Sequence, residues 1–258
     1  MIKLYNLTRH FGNLIAVDNV NITIPKGQIC GYLGPNGAGK TTTVKMLTGM
    51  LPPSAGTATI CNYDIIKNTM EVKRRIGYVP ESGTLYTSLT PFEYLQFVGR
   101  LYHMSEVMIE KRTKEFIEFF GLKSYLHKRM NEFSKGMKQK VVISASLIHN
   151  PQVIFMDEPL TGLDANTALM LKQLLRNLTK EGKTIFYCSH ILDVVENLCD
   201  RVIIISEGKI VADGSVDKLK SLTKRSSLEE VFSRLTHSED MDAVAKAFSQ
   251  SITSDDGE

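Results

Sequence analysis

The sequence predicts an α/β fold, and three stretches carry the prediction. Gln28–Gly49 reads as an apolar run, a glycine-rich turn and a helix; Val153–Met156 is an apolar run closing in Asp157 and Glu158; Thr184–Cys188 is another, closing in Ser189 and His190. Unbroken apolar runs of this length suit strands buried on both faces, and the helix-period stretches between them suit a parallel sheet. Open parallel sheets bind ligands at the carboxyl edge of their strands, which is where these polar residues fall.

In chain order, Ile2–Leu7 and Val20–Ile24 alternate apolar and polar residues around a turn-rich Arg9–Asn13, which predicts an antiparallel pair. Phe11 lies in that turn before a glycine, placed either to stack on a base or to pack. Gly34–Thr41 then spells G-x-x-x-x-G-K-T after an apolar run. Gly34, Gly37 and Gly39 let backbone N–H groups curl around an anion, and a helix starting near Lys40 adds its positive end. Lys40 is placed to reach phosphates, Thr41 to hold magnesium, and Thr42 to bond a second phosphate oxygen.

Pro52, Pro53, Ser54 and Gly56 break the chain before a strand at Thr57–Ile60. A short strand, Ile76–Val79, leads to Pro80 and Glu81, and Pro91 starts a helix. Ser105–Phe120 repeats apolar residues at helical spacing, and a further helix starts near Ser134, so about 82–150 reads as a mainly helical insert. Asp157 and Glu158 at a buried strand end are what magnesium-nucleotide chemistry uses: one acid for the metal, one to take a proton from water. Asn166–Lys180 is an amphipathic helix. Arg201–Ser206 and Lys209–Ala212 form a closing hairpin around Glu207-Gly208, Leu228, Val231, Phe232 and Leu235 make a helical stripe, and the end from Ser249 is polar and acidic.

Composition bounds the partners. With 31 basic and 28 acidic residues among 258, the chain has no global nucleic-acid footprint. Cys30, Cys61, Cys188 and Cys199 make no C-x-x-C pair and read as reduced thiols. No apolar run approaches the ~18 residues of a membrane helix, which predicts a cytoplasmic chain unless another protein holds it at a membrane.

GPNGAGKT, FSKGMKQK at Phe133–Lys140, VIFMDEP, LTGLD at Leu160–Asp164 and His190 occur in one order. Together they resemble the nucleotide-binding subunits of ATP-binding cassette (ABC) transporters, over roughly Met1–Leu235. The resemblance implies a P-loop NTPase core with an antiparallel β-subdomain and a helical subdomain, a single domain over 1–235 and a helical or acidic tail over 236–258. It implies ATP and Mg2+, with Phe11 on the adenine; Gly34, Asn36, Gly37, Ala38, Gly39, Lys40, Thr41 and Thr42 on the phosphates; Thr41, Glu81 and Asp157 toward the metal; and Glu158, His190 and Lys40 in catalysis. Ser134, Lys135, Gly136 and Met137 match the signature loop, which in this family contacts ATP held by a second subunit, and Asp164 belongs to the segment that crosses between subunits. A separate transmembrane permease and a second, identical cassette are the implied partners, with no nucleic acid and a place on the cytoplasmic face of the membrane.

Two positions depart from the commonest family pattern. Glu81 stands where a glutamine is usual, and FSKGM where LSGGQ is usual. Both changes, with LEEVF at Leu228–Phe232, are similar to a bacterial subfamily that energises export. The docking groove is expected around Glu81–Phe92, using Leu85, Tyr86, Leu89 and Phe92. A soluble ABC ATPase without a transport role, or a GTPase or small-molecule kinase, are the competing functions; no N-K-x-D guanine reader is present.

Overall fold

The computed structural model describes residues 1–81, 85–223 and 227–236. The chain opens with a hairpin of β1 (Ile2–Phe11) and β2 (Leu14–Ile24), paired from Ile2 opposite Ile24 to Phe11 opposite Leu14. The turn is shorter than Arg9–Asn13: Arg9 to Phe11 continue the strand, and Gly12 with Asn13 reverse it. Gly12 has φ 56°, the left-handed conformation that a two-residue hairpin turn demands. Next come β3 (Ile29–Leu33), buried throughout, and α1 (Lys40–Leu47). β4 (Ala55–Ile60) and β5 (Tyr63–Asp64) complete a four-stranded antiparallel sheet of order β2-β1-β4-β5.

After α2 (Thr69–Lys73) and β6 (Ile76–Val79), the chain enters the helical insert with α3 (Pro91–Leu101), α4 (Glu106–Phe119) and α5 (Lys135–Leu147). Each start is written locally. The Thr90 hydroxyl accepts the Glu93 N–H at 3.2 Å while the Glu93 carboxylate accepts the Thr90 N–H at 2.8 Å, with Pro91 at the first helical position. Ser105 and Ser134 cap the other two helices. Leu95, Ile117, Phe120 and Val141 bury these helices in one core cluster with the sheet.

The remaining elements are β7 (Val153–Asp157), α6 (Ala165–Lys180), β8 (Thr184–Ser189), α7 (Leu192–Leu198), β9 (Arg201–Ser206), β10 (Lys209–Gly214), α8 (Val216–Thr223) and α9 (Leu228–Leu235). They form, with β3 and β6, a six-stranded sheet of order β10-β9-β3-β8-β7-β6, parallel from β9 to β6 with β10 antiparallel at one edge. Alternate residues of the parallel strands serve two cores. Tyr32, Phe155 and Phe186 face the antiparallel sheet, whereas Leu33, Ile154 and Tyr187 face the helices. Phe186 lies 4.9 Å from the Tyr32 ring and 5.6 Å from Phe155, so truncating Phe155 to alanine costs about 3–5 kcal/mol.

All four cysteines are free, and Cys30, Cys188 and Cys199 are buried. Among the described residues no helix is long and apolar enough to cross a membrane. Leu228 and Val231 bury the stripe of α9; beyond Thr236 the expected tail, including the acidic end from Ser249, lies outside the described residues.

Candidate functional site

The carboxyl ends of β3, β6, β7 and β8 share one sheet edge, and the register sets what each delivers. Leu33 lies opposite Ser189, Asp157 opposite Cys188 and Val79 opposite Met156. The glycine turn, Glu81, the two acids and His190 therefore converge. Asn36, Gly37, Gly39, Lys40, Thr41, Thr42, Glu81, Asp157, Glu158 and His190 line one cavity of about 320 Å3.

The turn is held open by backbone geometry. Gly37 and Gly39 have φ 81° and 105°, and a Cβ on Gly39 would lie 2.3 Å from the Ala16 carbonyl oxygen, so only glycine fits there. The Lys40 ammonium donates to the carbonyls of Gly34 at 2.6 Å and Pro35 at 3.0 Å. It bridges the turn in the cavity wall, where an anion competes with two carbonyls for it. Ala38 does not line the cavity: its side chain is buried and its N–H bonds to Pro35 at 3.2 Å.

The Thr41 hydroxyl donates to Asp157 Oδ2 at 2.9 Å. Burial pushes the Asp157 carboxyl above its ordinary range, neighbouring Glu81 and Glu158 add to the rise, and the Thr41 bond and Lys40 oppose it. This donor set, a hydroxyl and carboxylates, is all oxygen and suits Mg2+. Among the described residues no group of three or more His, Cys, Asp and Glu forms a closed metal cage. A Mg2+ ion held by few protein groups and by substrate phosphates needs none.

Glu158 is buried and has φ 49°, a strained value for a residue with a Cβ. The turn carries it off the end of β7 and over β8, where its N–H bonds to Cys188 O at 3.0 Å. There Glu158 Oε1 accepts the His190 backbone N–H at 2.8 Å and faces His190 Nδ1 at 2.6 Å, while Oε2 accepts the Ser189 hydroxyl at 3.0 Å. His190 lines the cavity with the phosphate turn; its ring binds the glutamate and is otherwise exposed. Ser189 was not singled out as a functional residue, and a hydroxyl beside a histidine at a strand end is the signal that was available.

The other expected contacts lie apart from the cavity. Phe11 sits at the tip of the hairpin, half exposed, with the Arg9 guanidinium 4.7 Å from its ring centroid. Ser134 caps α5, accepting the Met137 N–H at 3.2 Å, and neither it nor Lys135, Gly136 or Met137 lines the cavity. Gly136 is one of the residues that match the signature loop. Within the chain it is required by Gly162, whose carbonyl oxygen would lie 2.5 Å from a Cβ there. Asp164 caps α6, accepting the Thr167 N–H at 2.9 Å and its hydroxyl at 2.6 Å; these bonds and Lys140 hold its carboxyl down to about 2. Gln139, which sequence reading passed over between two lysines, donates to Pro159 O at 3.2 Å and ties α5 to the segment after Glu158.

A family model described as ABC transporter matches residues 17–161, which span the turn, the insert and the acid pair just described. The chain belongs to the ABC transporter family. Among curated relatives, the ABC transporter ATP-binding protein NatA of Bacillus subtilis is 40% identical over 90% of this chain and 96% of its own. A Nod factor export ATP-binding protein I of Burkholderia lata is 36% identical over 83% of this chain and 70% of its own. Among solved structures, an ATP-binding subunit of an ABC transporter superposes with TM-score 0.87 at 30% identity, covering 91% of this chain and 99% of that one. A dimeric ATP-binding cassette in a post-hydrolysis state, bound to ADP and Pi, gives 0.77 at 28% identity, covering 83% and 98%. This ABC ATPase thus has the cassette fold that the five motifs implied, with the antiparallel sheet, parallel sheet and helical layer all present.

Proposed function

We propose that two copies of this ABC ATPase close face to face around two ATP molecules and drive a separate membrane permease, exporting its cargo. The observation that carries the reading is the division of the site: one chain gathers the phosphate turn and the acids in its cavity, while its own signature residues stand outside it. A single chain thus offers one wall of a cage, and phosphoryl transfer depends on donors on every side of the developing charge. Ser134, with the N–H groups of the first turn of α5, is the wall offered to the neighbour.

In that cage the turn amides and Lys40 bind and orient the phosphates, and Glu158 takes the proton of the attacking water. Thr41 and Asp157, with Glu81 nearby, would hold Mg2+, which would supply positive charge against the phosphates. Glu158 Oε1 is taken up by the two N–H groups of His190, whereas Oε2 accepts only the Ser189 hydroxyl and keeps a lone pair for the water. His190 is exposed and lines the same cavity, so its ring can reach a terminal phosphate.

A second cleft of about 620 Å3 runs from Thr41, Asp157 and Glu81 to Tyr94, Val98 and Tyr102, between the sheet and α3. Glu81 lines both cavities, so a permease segment seated in this cleft touches the residue that also faces the nucleotide. The expected apolar rim is partly displaced. Leu85 and Leu89 pack on the core and Phe92 lies tilted against the His127 ring, whereas Tyr86, Phe97, Leu101 and, across the cleft, Met50 are exposed. Export follows the name of the Nod factor relative, and docking to a permease places the chain on the cytoplasmic face of the membrane.

The test is affinity capture from detergent-solubilised membranes in ATP. Recovery of an integral membrane protein that raises ATP turnover supports the reading; recovery of no such protein favours a soluble ABC ATPase.

A further inference from the structure

The C-terminal end of α5 is where the helical layer is fastened to the sheet. The Ile148 carbonyl accepts Arg112 Nη1 of α4 at 2.6 Å. The next residue, His149, stacks on Tyr102 at the end of α3, with ring centroids 3.6 Å apart and planes within 8°. His149 Nε2 lies 2.8 Å from the carbonyl oxygen of Ile76 in β6. Beside this contact, a Cβ on Gly77 would lie 2.3 Å from Ser146 O, so β6 and the last turn of α5 touch backbone to backbone.

A carbonyl can only accept, so His149 carries its proton on Nε2 and donates it to Ile76. Nδ1 is buried without a partner. Burial, with Arg112 and Lys183 nearby, holds the imidazole down to about 4 against the Ile76 bond, so the ring stays neutral at ordinary pH. An unpartnered buried nitrogen costs stability; an aliphatic residue filling this position would avoid that cost but would join neither α3 nor β6.

The opposite end of α5 is Ser134. Thirteen residues of helix separate the two ends, about 20 Å at 1.5 Å per residue. A rotation of about 10° at His149 therefore sweeps Ser134 through about 3.5 Å, enough to make or break any hydrogen bond it offers. Tyr102 and Ile76 both line the 620 Å3 cleft, so an occupant of that cleft bears on the two partners of His149.

We propose that His149 is a positioning residue, the joint that holds the helical layer at the angle to the parallel sheet at which Ser134 meets the neighbouring chain's nucleotide. The proposal rests on the two-chain reading above. It assigns the angle to one donated hydrogen bond and one ring stack, linking α3, α5 and β6.

The experiment uses the full chain carrying Glu158→Gln, which lets an ATP-bound dimer accumulate. Three further variants are compared: His149→Phe keeps a ring against Tyr102 but removes the donor, His149→Gln keeps an N–H near the position of Nε2, and Tyr102→Leu removes the stack. ATP affinity of the monomer is measured by equilibrium dialysis at dilute protein, ATP-driven dimerisation by sedimentation velocity, and Tm by thermal melt. The expected result is that His149→Phe and Tyr102→Leu each weaken dimerisation by about tenfold, the worth of one net hydrogen bond or ring contact, with monomer affinity unchanged; His149→Gln, which keeps the donor but loses the stack, weakens it no more than Tyr102→Leu does. His149→Phe dimerising as tightly as its parent overturns the proposal, as does a parallel loss of monomer affinity or a His149→Gln that dimerises more weakly than Tyr102→Leu at equal Tm. Failure of the Glu158→Gln parent itself to dimerise removes the two-chain reading, and the joint's function with it.

Discussion

Glu158 Oε1 is shared by two donors from one residue, the backbone N–H of His190 at 2.8 Å and its Nδ1 at 2.6 Å. The arrangement exists because Glu158 adopts a left-handed φ of 49° and so leaves the line of β7 to lie across the end of β8. Glu158 and His190 are thereby one unit whose geometry belongs to the sheet edge.

Glu158→Gln keeps the size of the side chain and, through its one carbonyl oxygen, its capacity to accept from His190, with the amide NH2 turned to the Ser189 hydroxyl, while removing the proton acceptor. ATP binding is expected to persist, turnover to fall by about three orders of magnitude or more, and an ATP-bound dimer to accumulate in size-exclusion chromatography. Near-normal turnover would remove Glu158 from the role of base.

Asp157 pays for its position. Its carboxyl is raised above the ordinary 3.8, first by burial, so the penalty of ionising it in the fold is absent below that pH, grows as pH rises through the raised value, and is complete at neutral pH. Asp157→Asn is therefore expected to raise the Tm of the nucleotide-free protein at pH 7, by about 2–4 °C per kcal/mol relieved, with the gain shrinking as melts are taken toward acid. Added Mg2+ and ATP should stabilise the parent protein more than the variant, which keeps the phosphate turn and Lys40 but loses the metal-facing carboxylate.

Gly136→Ala separates helix propensity from close approach. In an exposed helix the change stabilises by about 1 kcal/mol; here the new Cβ meets the Gly162 carbonyl oxygen at 2.5 Å, and overpacking of that kind costs about 1–3 kcal/mol. A lowered Tm, with ATP affinity of the monomer retained, is the expected outcome. An unchanged or raised Tm would show that the 160–164 segment yields freely.

Glu81→Gln tests one of the residues, with Thr41 and Asp157, that line both cavities. ATP binding should be preserved while the amount of cargo moved per ATP hydrolysed changes in reconstituted vesicles. An unchanged ratio would separate Glu81 from coupling.

Much of this was legible because the chemistry is written in short local patterns. The phosphate turn, the VIFM run before Asp157, and the caps at Thr90, Ser105 and Ser134 are each decided within a few residues, and each appears where the pattern puts it. What was not legible depends on tertiary approach. Gly136 faces Gly162, Gln139 reaches Pro159, and Glu158 crosses to His190 through a backbone angle that no side-chain pattern announces. Arg9–Phe11 read as a turn because the glycine and asparagine that follow are turn formers, yet pairing to Leu14–Val17 extends the strand. Thr69–Lys73 and Leu192–Leu198 are too short to display a helical period of their own.

The central claim is that one triphosphate is cleaved in a pocket shared between two chains. It is tested most directly by measuring ATP turnover per chain across a wide range of protein concentration while following mass by sedimentation, for the unaltered protein and for Ser134→Arg. The account predicts turnover per chain that rises with dimer formation and collapses in Ser134→Arg although the monomer still binds ATP. Full turnover by a strictly monomeric protein, indifferent to Ser134, would contradict it.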